Sequence, residues 1–287
     1  MSSDTVITAS GLTKHYGSVR ALDGIDLEIA PGRIVGLIGR NGAGKTTALK
    51  AVLGLTPYHG HLSVLGMDPF RRRHELMQRV SFIADVAVLP RWIRVGQLID
   101  YVAASHPRFD RDRAIGFLDG QELRLKARVK TLSKGMITQL HLALIMAIDA
   151  SLLVLDEPTL GLDLVYRKRF YDALLNDYFD HSRTILVSTH QVEEIEHILT
   201  DVLFIEQGRL LLASSIDGLA ERYSEVRIAK GQDANALALG PIAVRESFGQ
   251  KIMLFEDKPS DRLGALGELR TPNVADLFVA KVTGGSA

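Results

Sequence analysis

The sequence predicts an α/β fold: a mostly parallel sheet covered by helices on both faces, followed by a small α+β unit. Three observations carry that prediction. An apolar run, Ile34 to Ile38, leads into a glycine-rich loop and then a helical segment, Ala48 to Leu55. Three more apolar strands, Leu152 to Leu155, Thr184 to Ser188 and Val202 to Glu206, alternate with helical segments near 163 to 180 and 191 to 199. Apolar strands separated by helices indicate a parallel sheet buried on both sides. After about residue 214 the pattern changes to short, more polar strands.

The remaining elements follow in chain order. Val6 to Ala9 and Ile25 to Ile29 read as strands ahead of the first apolar run. Short strands at His61 to Val64 and Val80 to Ile83 come after the loop helix. Residues 95 to 149 read as mainly helical, with polar breaks near Pro107 and Lys130. Ser215 to Tyr223 reads as a short helix, and Glu225 to Lys230, Ala243 to Ser247 and Lys251 to Glu256 as short strands. A last helix is expected over Asn273 to Val282. There are no internal repeats and no low-complexity tract.

Composition narrows the function classes. The 287 residues suffice for one large or two modest domains, and 46% hydrophobic content supports a full core. Lys plus Arg and Asp plus Glu are each 34, so the formal charge is zero, which argues against a broadly nucleic-acid-binding surface. Arg71-Arg72-Arg73 therefore reads as a solvated helix start. The chain has no cysteine, which excludes disulfides and Cys-based zinc sites. Met1 to Ser10 lacks the basic start and apolar stretch of a secretory signal. The longest apolar stretch considered, Leu140 to Ile148, is short and carries His141. A peripheral, cytoplasmic protein is expected, with any membrane role supplied by a partner.

The chemistry begins at Gly39-Arg40-Asn41-Gly42-Ala43-Gly44-Lys45-Thr46-Thr47. A strand, a glycine-rich turn and a helix start are the context of a phosphate-binding loop. Glycines allow a tight turn with inward N–H groups, and the helix adds its positive end. Lys45 is expected to reach the β- and γ-phosphates of ATP, and Thr46 to place its hydroxyl on Mg²⁺. Leu152-Leu153-Val154-Leu155-Asp156-Glu157 is a buried strand ending in two acids. Asp156 emerges at the carboxyl end of the strand, where it can hold Mg²⁺. Glu157 is placed to polarise an attacking water as general base.

Between these motifs lies Leu132-Ser133-Lys134-Gly135-Met136, ahead of the helical run Ile137 to Ala147. A Ser at a helix start is, in isolation, an N-cap. In company with the other two motifs, the segment resembles the Leu-Ser-Gly-Gly-Gln signature of ABC transporter ATP-binding proteins. The resemblance covers roughly residues 5 to 214. It implies a P-loop NTPase core of the ABC ATPase type at 1–214. An antiparallel β subdomain, a helical subdomain at about 90–150 and a small accessory domain at 215–287 complete that architecture.

The resemblance also assigns further residues. Tyr16, in Lys-His-Tyr-Gly, matches the aromatic that stacks on adenine, although a bare Tyr is more often core. Gly161-Leu162-Asp163, soon after Pro158-Thr159, matches the loop that crosses a dimer interface. His190 matches the switch histidine that contacts the γ-phosphate. The implied assembly is a head-to-tail dimer, expected as a homodimer. Each of its two ATPs lies between one chain's phosphate loop and Ser133 and the Gly135 N–H of the other chain. Closing and opening would drive a membrane permease.

The chain departs from the family pattern in two places. Lys134 and Met136 replace Gly and Gln, a form that a simple bacterial exporter class often carries. The family's glutamine loop, after Val80-Ser81-Phe82-Ile83, here reads Ala84-Asp85, and Asp85 is expected to serve Mg²⁺ in place of the amide. Trp92 follows that loop, either as a partner anchor or as core. The Val274-Ala275-Asp276-Leu277-Phe278 segment resembles endings found in drug and antibiotic exporters. The expected function is therefore the ATPase subunit of a bacterial exporter. The competing reading is a soluble ABC ATPase acting on ribosomes or DNA. It fits less well, because there is one phosphate loop and no long insertion before Asp156.

Overall fold

A computed structural model describes residues 5–83, 89–118, 123–160, 164–180, 182–247 and 249–284. Among them the strands form three sheets. The central sheet contains β3 (Ile34–Ile38), β5 (Val80–Ile83), β6 (Leu152–Asp156), β7 (Thr184–Thr189), β8 (Asp201–Glu206) and β9 (Arg209–Ser215), in the order β5-β6-β7-β3-β8-β9. Every pairing is parallel except β8 with β9, which join through a tight turn. Residues of β3, β6 and β7 are buried throughout, as expected for strands covered on both faces. An antiparallel sheet, β2-β1-β4, packs beside it, built from β1 (Ile7–Tyr16), β2 (Val19–Ile29) and β4 (His59–Val64).

The helix α1 (Lys45–Val52) runs between these two sheets and buries Ala48, Leu49, Ala51 and Val52. It ends at Gly54, whose φ of +63° reverses the chain. A helical layer follows the short α2 (Arg73–Leu76). It consists of α3 (Val95–Ser105), α4 (Arg111–Gly116) and α5 (Lys134–Met146) around a core of its own that includes Ile99, Ala114 and Leu140. Ser133 caps α5, its Oγ accepting from the Met136 N–H at 3.2 Å. The C-terminal part supplies α6 (Leu164–Ala173), α7 (Ile216–Arg222), α8 (Asp233–Ala238), α9 (Ser260–Gly264) and α10 (Val274–Gly284). Its antiparallel sheet, β11-β12-β10-β13, is built from β10 (Tyr223–Ile228), β11 (Ala243–Ser247), β12 (Gln250–Glu256) and β13 (Gly267–Arg270).

Several elements differ from expectation for identifiable reasons. β1 and β2 are longer than their apolar centres, because they pair as a bulged hairpin whose end is polar and exposed. The stretch read as a helix near 191 to 199 forms two 3-10 turns, Val192–Glu194 and Glu196–Ile198. Its buried apolar residues, Val192, Ile195 and Ile198, fall at every third position, which matches three residues per turn. The helix near 163 to 180 is α6, continued by a π-turn at Leu174–Tyr178. The polar edge strand β13 lacks any apolar alternation and was not expected. Trp92 is 75% exposed, so the core reading fails for it, and Arg71 to Arg73 are solvated as expected. No helix among the described residues is long and apolar enough to cross a membrane.

Two predictions follow from this packing. A Cβ at Gly54 would lie 1.9 Å from the Pro69 carbonyl oxygen, in a left-handed turn. Gly54→Ala is expected to cost about 2–3 kcal/mol in denaturant unfolding. Burial pushes the His141 imidazole down to about 4 from 6.5, and its Nε2 has no partner among the described residues. The folded chain thus keeps His141 neutral where the unfolded chain protonates it. Stability should fall as pH drops from about 6.5 to about 4, by up to about 3 kcal/mol from this group. Urea midpoints measured against pH should show a shallower slope over that window for His141→Leu.

Candidate nucleotide site

Parallel register sets the geometry of the site. Ile38 pairs with Thr189, and Asp156 with Ser188, so β3, β7 and β6 end at one level. The residues just past those ends, Gly39, His190 and Glu157, therefore emerge side by side at the carboxyl edge. Glu157 and His190 face a cleft of about 640 Å³ lined also by Arg40, Asn41, Gly42, Gly44, Lys45, Thr46 and Thr47, while Gly39 and Ala43 lie behind it. Val19, Arg20 and Ala21 of β2, Leu160 and Gln207 complete its wall.

The glycine-rich loop is held from behind. Gly44 has a φ of +111°, and a Cβ there would meet the Ala21 carbonyl oxygen at 2.6 Å, so the position requires glycine. Gly208 donates its N–H to the Ala43 carbonyl at 2.8 Å, and Asp23 donates its own to the Gly208 carbonyl at 2.8 Å. The Asp23 carboxylate receives Arg209 at 2.7 Å and Arg20 at 2.8 Å. The guanidinium hydrogen bond from Arg209 is the main cause that holds this carboxyl below its usual range. Gly39 closes the loop's entry, and Ala43 is buried beneath it.

Lys45 is buried inside the loop. Its Nζ donates to the carbonyls of Gly39 at 2.8 Å and Arg40 at 3.3 Å, and pairs with Glu157 Oε1 at 3.1 Å. The other Glu157 oxygen, Oε2, lies 2.9 Å from His190 Nδ1. An ionised carboxylate only accepts, so Nδ1 donates in this contact. Glu157 itself has a φ of +46°, a left-handed conformation rare outside glycine. Its N–H is held by Ser188, 3.1 Å from Oγ and 3.2 Å from the carbonyl oxygen.

The same Ser188 hydroxyl donates to Asp156 Oδ1 at 2.6 Å, and Thr46 Oγ1 donates to that oxygen at 3.3 Å. A hydroxyl and a carboxylate at the helix start are hard oxygen donors of the kind Mg²⁺ takes, so Thr46 and Asp156 could hold it. The N–H groups of the first turn of α1, at Lys45, Thr46 and Thr47, have no partners within the helix and suit phosphate oxygens. The donor set thus fits a nucleotide with its metal.

Not every expected residue meets here. Ser133 and Gly135 sit at the N-terminus of α5 and do not line the cleft. Tyr16 is half exposed at the end of β1 with Lys14 over its ring at 4.9 Å, so it is not core, and it too is outside the lining. Asp85 and Asp163, with Gly161 and Leu162, lie outside the described residues. Sequence reasoning missed Ser188, Arg20 and Gln207. In the sequence Ser188 is only the last residue of a strand, and no local signal marks its two hydrogen bonds, to Asp156 and from Glu157. Ser188→Ala should remove both hydroxyl bonds and cost about 1–2 kcal/mol in chemical unfolding.

Comparisons with known proteins identify the family. A family model described as ABC transporter matches residues 22–160. The chain is 32% identical over 250 residues to the daunorubicin resistance ATP-binding protein DrrA3 of Streptomyces coeruleorubidus, covering 83% of this chain and 79% of the relative. It is 32% identical to the bacitracin transport ATP-binding protein BcrA of Bacillus licheniformis, over 81% of this chain and 78% of that one. The Nod factor export ATP-binding protein I of Cupriavidus metallidurans is 31% identical over 97% of both chains. Among solved structures, an ATP binding subunit of an ABC transporter superposes with a TM-score of 0.69 at 23% identity, over 76% of this chain and 92% of that one. The cbiO1 structure from Clostridium perfringens gives 0.64 at 22% identity, over 74% and 89%. The chain belongs to the family of ABC transporter ATP-binding proteins and is a nucleotide-binding ATPase subunit.

Proposed function

We propose that this chain is the ATPase subunit of a bacterial exporter and works as a head-to-tail homodimer on a membrane permease. The observation that carries the dimer is the separation of the site's two halves. Lys45, Thr46, Glu157 and His190 line one cleft, whereas Ser133 and Gly135 lie at a helix N-terminus outside it. A second copy of the chain brings the missing half to the open side of the cleft. The exporter assignment is supported by relatives named for daunorubicin resistance, bacitracin transport and Nod factor export. It places the chain peripherally, on the cytoplasmic face of the membrane. In this reading the ATPase domain spans about 1–214, and 215–287 is an accessory unit.

The residues divide the work as follows. The N–H groups of Gly42, Gly44, Lys45, Thr46 and Thr47 bind the phosphates, and Gly39, Asn41 and Ala43 shape the loop around them. Lys45 carries the balancing charge. Thr46 and Asp156 hold Mg²⁺, which when bound neutralises charge on the terminal phosphates. By sequence position, Asp85 joins that set and Asp163 faces the partner chain. Tyr16 takes the adenine at the rim. Glu157 accepts the proton of the attacking water, and His190 orients Glu157 through Nδ1, while an N–H at its Nε2 would donate to the γ-phosphate.

The test uses size exclusion and ATP turnover. Glu157→Gln should retain ATP binding, lose turnover by roughly a hundredfold or more, and elute as a dimer with ATP. Lys45→Ala should lose nucleotide affinity and stay monomeric, and His190→Ala should lose most turnover. A Glu157→Gln chain that stays monomeric with saturating ATP refutes the sandwich. Tagged Glu157→Gln chain recovered from native membranes should bring a multi-span protein with it. Recovery of ribosomes or nucleic acid instead would favour the soluble alternative.

A further inference from the structure

The segment that joins His190 to β8 has little regular structure of its own. Its two 3-10 turns meet at Ile195, which has φ −122° and ψ −7°. What fixes it is tertiary contact on two sides. On one side Arg167 of α6 donates to Gln191 at 3.3 Å and pairs with Glu194. On the other side lies α10, the last helix of the accessory unit. Val192, Ile195 and Ile198 share one buried cluster with Val274, Leu277 and Ala280 of α10. Phe278 of α10 meets Phe204 of β8 edge to face at 5.3 Å. Glu196 joins the two elements directly, its Oε1 accepting the Val274 N–H at 2.9 Å. That N–H is an orphan donor of the first helical turn, where a carboxylate is also favoured by the helix dipole.

We infer that α10 seats the segment carrying His190, with Glu196 as the positioning residue between them. The helix itself does not line the cleft. Its effect passes along the backbone from Glu196 to His190 and so to the 2.9 Å contact between Nδ1 and Glu157. If α10 loosens, the 3-10 turns keep few bonds of their own, and the imidazole drifts from the carboxylate it orients. Phosphate binding by the first turn of α1 is untouched, because α1 and the buried Ala43 of the loop pack in the other core, which also holds β3 through Val35 and Leu37. The accessory unit thereby governs turnover without governing nucleotide affinity, and a partner that displaces α10 slows the ATPase.

This inference rests on the catalytic reading of His190. The test measures steady-state ATP hydrolysis and backbone hydrogen exchange on the full chain. Glu196→Ala should lower kcat by roughly three- to tenfold with KM for ATP within about twofold, the scale of a small misplacement. Exchange should quicken across residues 191–199 and stay unchanged across 39–47. Glu196→Gln, whose amide oxygen can accept the same bond, should recover most of the loss. Phe278→Ala loosens α10 without touching Glu196 and should reproduce the kcat effect if Glu196→Ala fails to fold. An unchanged kcat in both Glu196→Ala and Phe278→Ala, a KM that rises in step with the loss, or a Gln variant as slow as Ala would overturn the inference. If His190→Ala also keeps full turnover, the catalytic reading itself fails. If only His190→Ala is slow, the reading stands and α10 has no part in it.

Discussion

The whole site depends on strand register. Because β3, β7 and β6 run parallel with Ile38 opposite Thr189 and Ser188 opposite Asp156, their carboxyl ends stop at one level. A slip of one residue would turn every side chain of a strand to the other face and separate the groups that meet in the cleft. Packing makes such a slip costly, since β3, β6 and β7 divide their side chains between two differently shaped cores, Val35 and Leu37 in one and Ile34 and Ile38 in the other. The loop, the acidic pair and the histidine need no long-range search for one another once the sheet has formed. Only fine placement remains, and Ser188 supplies it by bonding the last residue of β6 and the first residue beyond it.

Much of this was legible in the sequence, for reasons that differ by element. The central strands are visible because double burial demands unbroken apolar runs, and the phosphate loop because its glycines, Lys45 and Thr46 stand at fixed spacing. Three of the accessory sheet's four strands were visible, β10 among them. β11 and β12 fall where short strands were expected, whereas β13 has an exposed, polar edge that any loop would share. The turns after His190 are helical, as expected near 191 to 199, but wind more tightly than an α-helix. Val192, Ile195 and Ile198 at steps of three indicate a tighter winding. Ser188 and Arg20 were invisible for a different reason: their partners are set by tertiary approach, which no local pattern encodes.

The fold also keeps its apolar contents in separate compartments. One core lies between the antiparallel sheet and the central sheet, a second beneath α6 and α10, a third within the helical layer and a fourth inside the accessory sheet. The helical layer meets the rest through α5, whose Met146 enters the second core, and through polar ties. Arg108 and Arg183 both reach Asp149, and Arg113 donates to the Asp177 carbonyl at 2.9 Å. The C-terminal sheet meets the rest through Tyr223 and Leu254, which enter the second core, and Glu256 receives Tyr223, Lys281 of α10 and Arg222. The apolar side of α10 belongs to that second core and not to the fourth.

The state of Lys45 has a consequence for selectivity. Its ammonium is already fully engaged by two carbonyls and the Glu157 carboxylate, in a place where water is largely excluded. An arriving ligand therefore exchanges one set of oxygens for another, and its gain is a difference between two nearly complete solvation shells. A neutral molecule, or one with a single diffuse charge, has nothing better to offer than the carboxylate that is already there. A polyphosphate does, because it presents several anionic oxygens at once and releases Glu157 from its cation. The loop thus discriminates by charge density, and filling it would leave the Glu157 carboxylate with His190 as its remaining partner.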